Sequence, residues 1–340
     1  MDTKENTVSG RSDGMGVQPY PLVLKPAYKD YIWGGNRIIR KYGRGEPEGI
    51  YAESWEVSDR TEGQSRVLNG PLKGKTLGNV IEVWGQDLLG EGRKEKSFPL
   101  LVKLIDAREK LSVQVHPDDE SAEKYGGEAK TEMWYALEAD PDACVYAGLR
   151  PGVDGELFLN AVRDETLEEL LHIEPIREGE AVYMPGGRLH AIGAGCLLLE
   201  VQQNSNTTYR IYDWGRVGQD GKPRELHLEE AMRVIRWHDT ESPKALPRRI
   251  GLLGENELWE VLSTRYFRLE KLLIHETWNS AADPGTFQIL FIAGGNLEIE
   301  WDGSKEKLAP GSTCLVPSAL PQYKLYPEDK PATVLRVTRP

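Results

Sequence analysis

The sequence predicts a mainly β protein whose strands fall into two similar halves, with helical insertions in the N-terminal half. Three observations carry this expectation. Thirty-five glycines and 21 prolines are spread among short apolar runs, the pattern of many strands joined by turns. Gly179 to His190 (GEAVYMPGGRLH) reads as turn, strand, turn and strand start. In it Glu180 to Met184 alternate polar and apolar, Pro185 ends the strand, and Gly186-Gly187 permit positive φ. The same stretch returns without a gap as Gly311 to Gln322 (GSTCLVPSALPQ). Pro317 stands for Pro185, Ala319 for Gly187 and Gln322 for His190.

Length and composition narrow the classes of function. A chain of 340 residues can bury a sizeable core and favours two domains. A net charge of −12 without a run of Lys or Arg argues against nucleic acid or a membrane surface as partner. A small anion stays open as substrate, because a few local cations reverse the field in one cleft. Cys144, Cys196 and Cys314 have neither metal-like nor redox spacing and read as reduced thiols. No stretch is long enough to span a bilayer, and the start lacks the apolar segment of a signal peptide. The cytoplasm is the expected location.

Taken in order, residues 1–18 are polar and expected to form a disordered tail. Residues 19–245 are expected to form a catalytic domain. It opens with a short strand and an aromatic turn ending in Trp33-Gly34-Gly35, followed by the alternating run YAESWEV at 51–57. A short helix is predicted within 76–90, with Leu77, Val80, Val83 and Trp84 on one face. Phe98–Leu104 and Leu111–His116 read as apolar strands, and Asp118 can cap a helix in the acidic 118–128. Thr131–Leu137 and Cys144–Leu149 resume strands. Two short helices are expected over 155–172, broken near Arg163–Thr166, and an amphipathic helix over 226–237. The Pro- and charge-rich 238–249 is the expected boundary, and 246–340 forms a second domain.

The form G-x5-P-x-G-x2-H at Gly179–His190 resembles a signature of the cupin family, whose members hold a metal inside a small jelly-roll-like β-barrel. The resemblance implies two cupin barrels, the second without a metal site because Gln322 replaces His190. In the first, Gln114 and His116 flank one strand residue and share a face, and Glu132 begins the next strand. A barrel interior receives alternate residues from each strand, so Gln114, His116, Glu132 and His190 can converge. Two imidazoles, a carboxylate and an amide oxygen suit Zn²⁺, and also Mn²⁺, Fe²⁺, Co²⁺ or Ni²⁺. The other histidines, His172, His227, His238 and His275, are expected on helices, a linker or the repeat, without a metal role.

A more specific likeness rests on several ordered motifs. LSVQVHP at 111–117, KTEMW at 130–134, LHAIG at 189–193 and EVQQNSNTTYRIYDWGR at 200–216 together resemble the type I mannose-6-phosphate isomerases. Ile32-Trp33-Gly34-Gly35 and Glu53-Ser54-Trp55 match that family's shorter bacterial form. The resemblance implies one Zn²⁺ per chain on Gln114, His116, Glu132 and His190. It implies interconversion of mannose 6-phosphate and fructose 6-phosphate, a small sugar phosphate being the partner. It also implies Arg210 near the reacting carbons, Lys130 beside the metal carboxylate, and Lys103 and Ser112 lining the substrate pocket. An aldose–ketose exchange moves a proton between two carbons through a cis-enediol, and cationic groups can hold the developing charge. Either a metal-bound hydroxide or Lys130 could serve as base. One departure is Asn206, where some members carry Asp, which puts turnover rather than metal binding in question. Rival readings are a sugar-phosphate-binding regulatory homologue, a cupin oxygenase and a storage protein.

Overall fold

The computed structural model describes residues 16–45, 48–218, 221–281 and 283–340, so most of the expected tail at 1–18 lies outside the described residues. Among the described residues are twenty-three strands and six α-helices in four sheets, a mainly β fold. A six-stranded sheet runs in the order 181–184, 132–139, 196–203, 100–107, 53–57 and 27–29. A five-stranded sheet runs 209–212, 113–115, 190–192, 144–149 and 171–175. The second half repeats both orders. Strands 313–316, 288–294, 332–338, 268–274, 256–263 and 248–253 follow one another in an eight-stranded sheet, extended by 22–25 and 66–67. Strands 278–281, 322–327, 297–301 and 304–308 form the fourth sheet. The gapless sequence repeat is therefore a repeat of topology, and Gly179 and Gly311 share the same left-handed turn, φ 84° and 83°.

The sheets stack in layers, each interface filled by an apolar cluster. Within the first half, Ile105, Ala107, Val182 and Leu198 of the six-stranded sheet meet Val145, Ala147 and Ile192 of the five-stranded one. Leu290, Ile292 and Val334 meet Ile299, Tyr323 and Leu325 in the second half. The largest cluster lies between the halves, where Val102, Leu104, Met133 and Leu199 pack against Leu269, Ile289, Phe291 and Leu335. The insertion helices cover the outer face of the five-stranded sheet, with Phe158, Leu167, Ala231 and Val234 against Val113, Val115 and Ile211. This cover turns Val113 and Val115 outward and leaves Gln114 facing inward, by the two-residue period of a strand.

Several local expectations shift by a few residues. The helix within 76–90 is two pieces, Leu77–Trp84 and Gln86–Leu89, broken at Gly85 with φ 49°. Asp118 caps Asp119–Tyr125 by accepting from the Ser121 N–H at 2.9 Å. The two helices over 155–172 become Gly155–Arg163 and a single 3-10 turn, Leu167–Leu170, with Glu165 at φ 58° between them. His172 therefore lies on a strand, Leu171–Pro175, and not on a helix. Pairing of Leu171 with Leu149 at the sheet edge outcompetes continuation of the helix. The helix over 226–237 is shortened to Leu228–Val234, because the Arg236 N–H turns to bond the Gly187 carbonyl at 2.8 Å.

Candidate active site

The site begins with strand register. His190 and Arg210 both pair with Gln114, one from each side of Val113–Val115. On the facing sheet Glu200 pairs with both Lys103 and Trp134, and Gln202 pairs with Glu132. Two rows of polar residues therefore face each other across an otherwise apolar interior.

The turn at 185–187 closes the arrangement. A Cβ on Gly186 would stand 2.6 Å from the Asp118 Cα and 2.7 Å from the Pro117 carbonyl oxygen. Gly187, at φ 87°, donates its N–H to the His116 carbonyl at 2.7 Å. This close backbone approach draws His116, one residue beyond its strand, against His190, with ring centroids 4.8 Å apart.

His116, Glu132 and His190 are all buried, and their donor atoms lie within 4.8 Å of one another. His116 Nε2 is 3.6 Å from Glu132 Oε2, and His190 Nε2 is 3.3 Å from Glu132 Oε1. Two donors each about 2.1 Å from one tetrahedral ion stand about 3.4 Å apart, so these spacings fit a single small cation. Neither oxygen of Glu132 makes a hydrogen bond of normal geometry, although Lys130 Nζ stands 3.0 Å from Oε2. A fully buried carboxylate so poorly satisfied is what an ion would complete. His190 Nδ1 faces the Arg188 carbonyl at 2.8 Å, and donating there leaves Nε2 as the ligating nitrogen. Gln114 turns its amide nitrogen toward His190 Nε2 at 3.4 Å; as a ligand it would present the oxygen by turning the amide over.

Electrostatics agree with that fit. Burial, with the nearby charges of Lys130 and His190, keeps His116 well below the usual imidazole range. Burial likewise lowers His190 to about 4, so both rings are neutral and able to ligate. Burial raises Glu132 to about 7, against the pull of Lys130. Glu200 moves the other way: burial opposes its charge, but Lys103 and Lys130 hold its carboxyl below the usual range.

Beside this candidate metal cluster lies a cavity of about 320 Å³, reached through Gln114 and Lys130. Lys130, Gln114, Lys103, Ser112 and Arg210, all predicted site residues, line it. Lys103 arrives between two carboxylates, its Nζ 3.2 Å from Glu200 and 3.6 Å from Glu53. Burial works against that ammonium, yet the two acids keep its proton bound well above the ordinary lysine range. Ser112 Oγ lies 3.4 Å from the Gln114 amide oxygen. Arg210 Nη1 donates to the Glu225 carbonyl at 2.8 Å. Burial and the neighbouring Arg224 and Arg216 make it a less tightly protonated guanidinium than usual. Asn206 is also on the wall and donates its amide N–H to Glu62 at 3.2 Å.

Three charged wall residues have no role in the sequence reading. Glu53 and Glu200 are acids within apolar or alternating strand text, and a buried acid in LLLEVQQ is the signal that could have marked the second. Arg224 carries no such signal; Asp213 accepts from its Nε at 2.7 Å and brings it to the cavity from a loop.

The catalytic domain of phosphomannose isomerase type I matches residues 22–147. The probable mannose-6-phosphate isomerase GmuF of Bacillus subtilis is 35% identical over 314 residues, covering 90% of this chain and 96% of the relative. Mannose-6-phosphate isomerase ManA of the same organism is 42% identical over 217 residues, covering 63% and 68%. A crystal structure of a mannose 6-phosphate isomerase from Bacillus subtilis superposes with a TM-score of 0.84 at 30% identity, over 94% of this chain and 99% of the other.

Proposed function

Since the chain belongs to the type I mannose-6-phosphate isomerase family, we propose that it interconverts mannose 6-phosphate and fructose 6-phosphate at the cavity beside His116, Glu132 and His190. The observation that carries this reading is that Lys130 and Gln114, which touch that trio, line one cavity with Arg210 and Ser112. In this reading His116, Glu132, His190 and Gln114 hold one Zn²⁺, chosen for its preference for imidazole and carboxylate donors at short distance. The ion, when bound, supplies a Lewis acid for a substrate oxygen.

The chain's own residues supply the rest. Arg210 and Arg224 line the same cavity, and their mutual repulsion makes that region favourable for a phosphate or an enediolate. Lys130, 3.0 Å from Glu132 and 3.2 Å from His116, is placed to pass a proton to or from the reacting carbons. Lys103, already balanced by Glu53 and Glu200, suits a sugar hydroxyl better than a phosphate. Residues 19–245 would then form the catalytic cupin domain, with 246–340 a second cupin without metal, in the cytoplasm.

Metal analysis together with a coupled assay on mannose 6-phosphate tests this reading. The unaltered protein should hold about one equivalent of zinc and turn over. His116→Ala should lose most of that metal, and full occupancy in the variant would remove His116 from the ligand set. Arg210→Ala should keep its metal and lose at least about a hundredfold in kcat, in line with removal of one preorganised charge at a transition state. A protein that binds metal and sugar phosphate without turnover would be the regulatory homologue instead.

A further inference from the structure

Registering the two halves strand by strand gives several residues of the first site a counterpart. Met184 pairs with Glu132 and Val316 with Gln288, so Gln288 occupies the place of Glu132. Glu132 pairs with Gln202 and Gln288 with Thr338; two residues back along those strands, Arg336 stands for Glu200. Lys103 opposite Glu200 is matched by Glu270 opposite Arg336, and Leu101 opposite Gln202 by Arg268 opposite Thr338. Gln114 opposite His190 is matched by Ala281 opposite Gln322.

The metal-binding chemistry is lost at each of these places. An amide replaces the carboxylate, a methyl group replaces the amide, and Gln322 is turned to solvent where His190 is buried. Gln288 is satisfied within the protein, accepting from Tyr323 at 2.6 Å and donating to the Ala281 carbonyl at 3.1 Å. The buried ion pair survives with its sign reversed: Lys103–Glu200 at 3.2 Å becomes Glu270–Arg336 at 2.7 Å.

The space survives as well. A cavity of about 430 Å³ lies over Arg268, Glu270, Gln288 and Arg336, of which Glu270 and Arg336 are the counterparts of the wall residues Lys103 and Glu200. Arg93 and Arg339 reach it from flanking segments, so four guanidinium groups line it against the carboxylates of Glu270 and Asp283. Glu270 is taken by Arg336, and Asp283 turns to its own loop, accepting from the Gly285 N–H at 2.8 Å. Arg93 is engaged by the Pro340 carbonyl at 3.0 Å, Arg268 by Glu260 at 3.6 Å, and Arg339 by Glu95. These contacts use few of the five donors each guanidinium carries.

We propose that this second cavity is a binding site for the oxyanion of a small metabolite, a phosphate ester or a carboxylate, held by Arg93, Arg268 and Arg339 over the Glu270–Arg336 pair. Guanidinium forks match both oxyanions with paired hydrogen bonds. The inference rests on strand register and the arginines, and not on turnover in the first half.

Calorimetric titration of the full chain with inorganic phosphate and with malonate tests it. The unaltered protein should bind two equivalents of phosphate, one of which Arg210→Ala removes. The double variant Arg93→Gln, Arg268→Gln should bind the other at least about tenfold more weakly, with kcat unchanged as the check on folding. Tighter binding of phosphate at that site assigns a phosphate ester, and tighter binding of malonate a carboxylate. A single equivalent lost with Arg210, or a double variant that titrates like the unaltered protein, overturns the proposal. If the double variant does not fold, crystals of the unaltered protein soaked in phosphate decide: density beside Arg268 supports the site, and its absence there overturns it. An isomerase that fails its own assay but binds phosphate through Arg268 would sink only the catalytic reading.

Discussion

A carboxylate buried without ordinary hydrogen bonds costs on the order of 1–3 kcal/mol or more, so Glu132 marks a candidate site that an ion would complete. Asp106 is another buried acid with an unpartnered oxygen, and unlike Glu132 and Glu200 it lies outside that site. Its second oxygen accepts from the Arg37 N–H at the start of helix Arg37–Tyr42, while burial raises the group to about 6 from an ordinary 3.8. A carboxyl whose folded value is raised favours the fold while protonated. That contribution is full below about pH 4 and is lost as pH rises through about 6. The difference amounts to about 3 kcal/mol at most. Asp106→Asn should therefore remove a decline in Tm between pH 4 and 6 that the unaltered protein shows. Equal slopes in the two proteins would mean that Asp106 does not titrate in this range.

At the scale of the element, the turn at 185–187 does more than end a strand. Its glycines let one backbone lie on another, and the contact with Pro117 and Asp118 sets where His116 can be. Gly186→Ala would force a methyl group to within 3 Å of backbone atoms that have no rotamer to escape into. The variant should lose more than about 2 kcal/mol of stability, in the range of a strained backbone substitution, and with it most of its metal. Unchanged Tm and metal content would show that the turn can shift without moving His116. The same turn in the second half carries Ala319 in place of Gly187, which fits a copy that has no histidine pair to position.

At the scale of the whole molecule, the largest apolar cluster belongs to neither half. Val102, Met133 and Leu199 of the first half are covered by Leu269, Ile289 and Leu335 of the second. Strand Leu22–Lys25 also pairs with Thr313–Val316, across the boundary expected near 245. A chain cut after residue 245 would leave that sheet face in water, at about 25 cal/mol for each Å² exposed. It should be insoluble or lack cooperative thermal unfolding by circular dichroism. A soluble fragment with a sharp transition would show that the first half needs no cover from the second.

How much of this was legible follows from how far each signal reaches along the chain. Strand period, glycine at turns and the Asp118 cap act between near neighbours, so Cys144–Leu149 could be delimited from sequence alone. The short helix Arg37–Tyr42 was missed, since six residues hold too little periodicity to read, and His172 was misplaced because sheet pairing decided its segment. Motif spacing also identified His116, Glu132 and His190, since a repeated turn and two strand starts carry their relation in the text. By itself the sequence determined the mainly β class, the duplication and the cluster of donors, all written in local pattern. Only the tertiary structure decided that Glu53, Glu200 and Arg224 share the cavity, that the halves share one core, and that Arg336 stands where Glu200 stands. Those relations depend on register between strands far apart in the chain, and no local period records register.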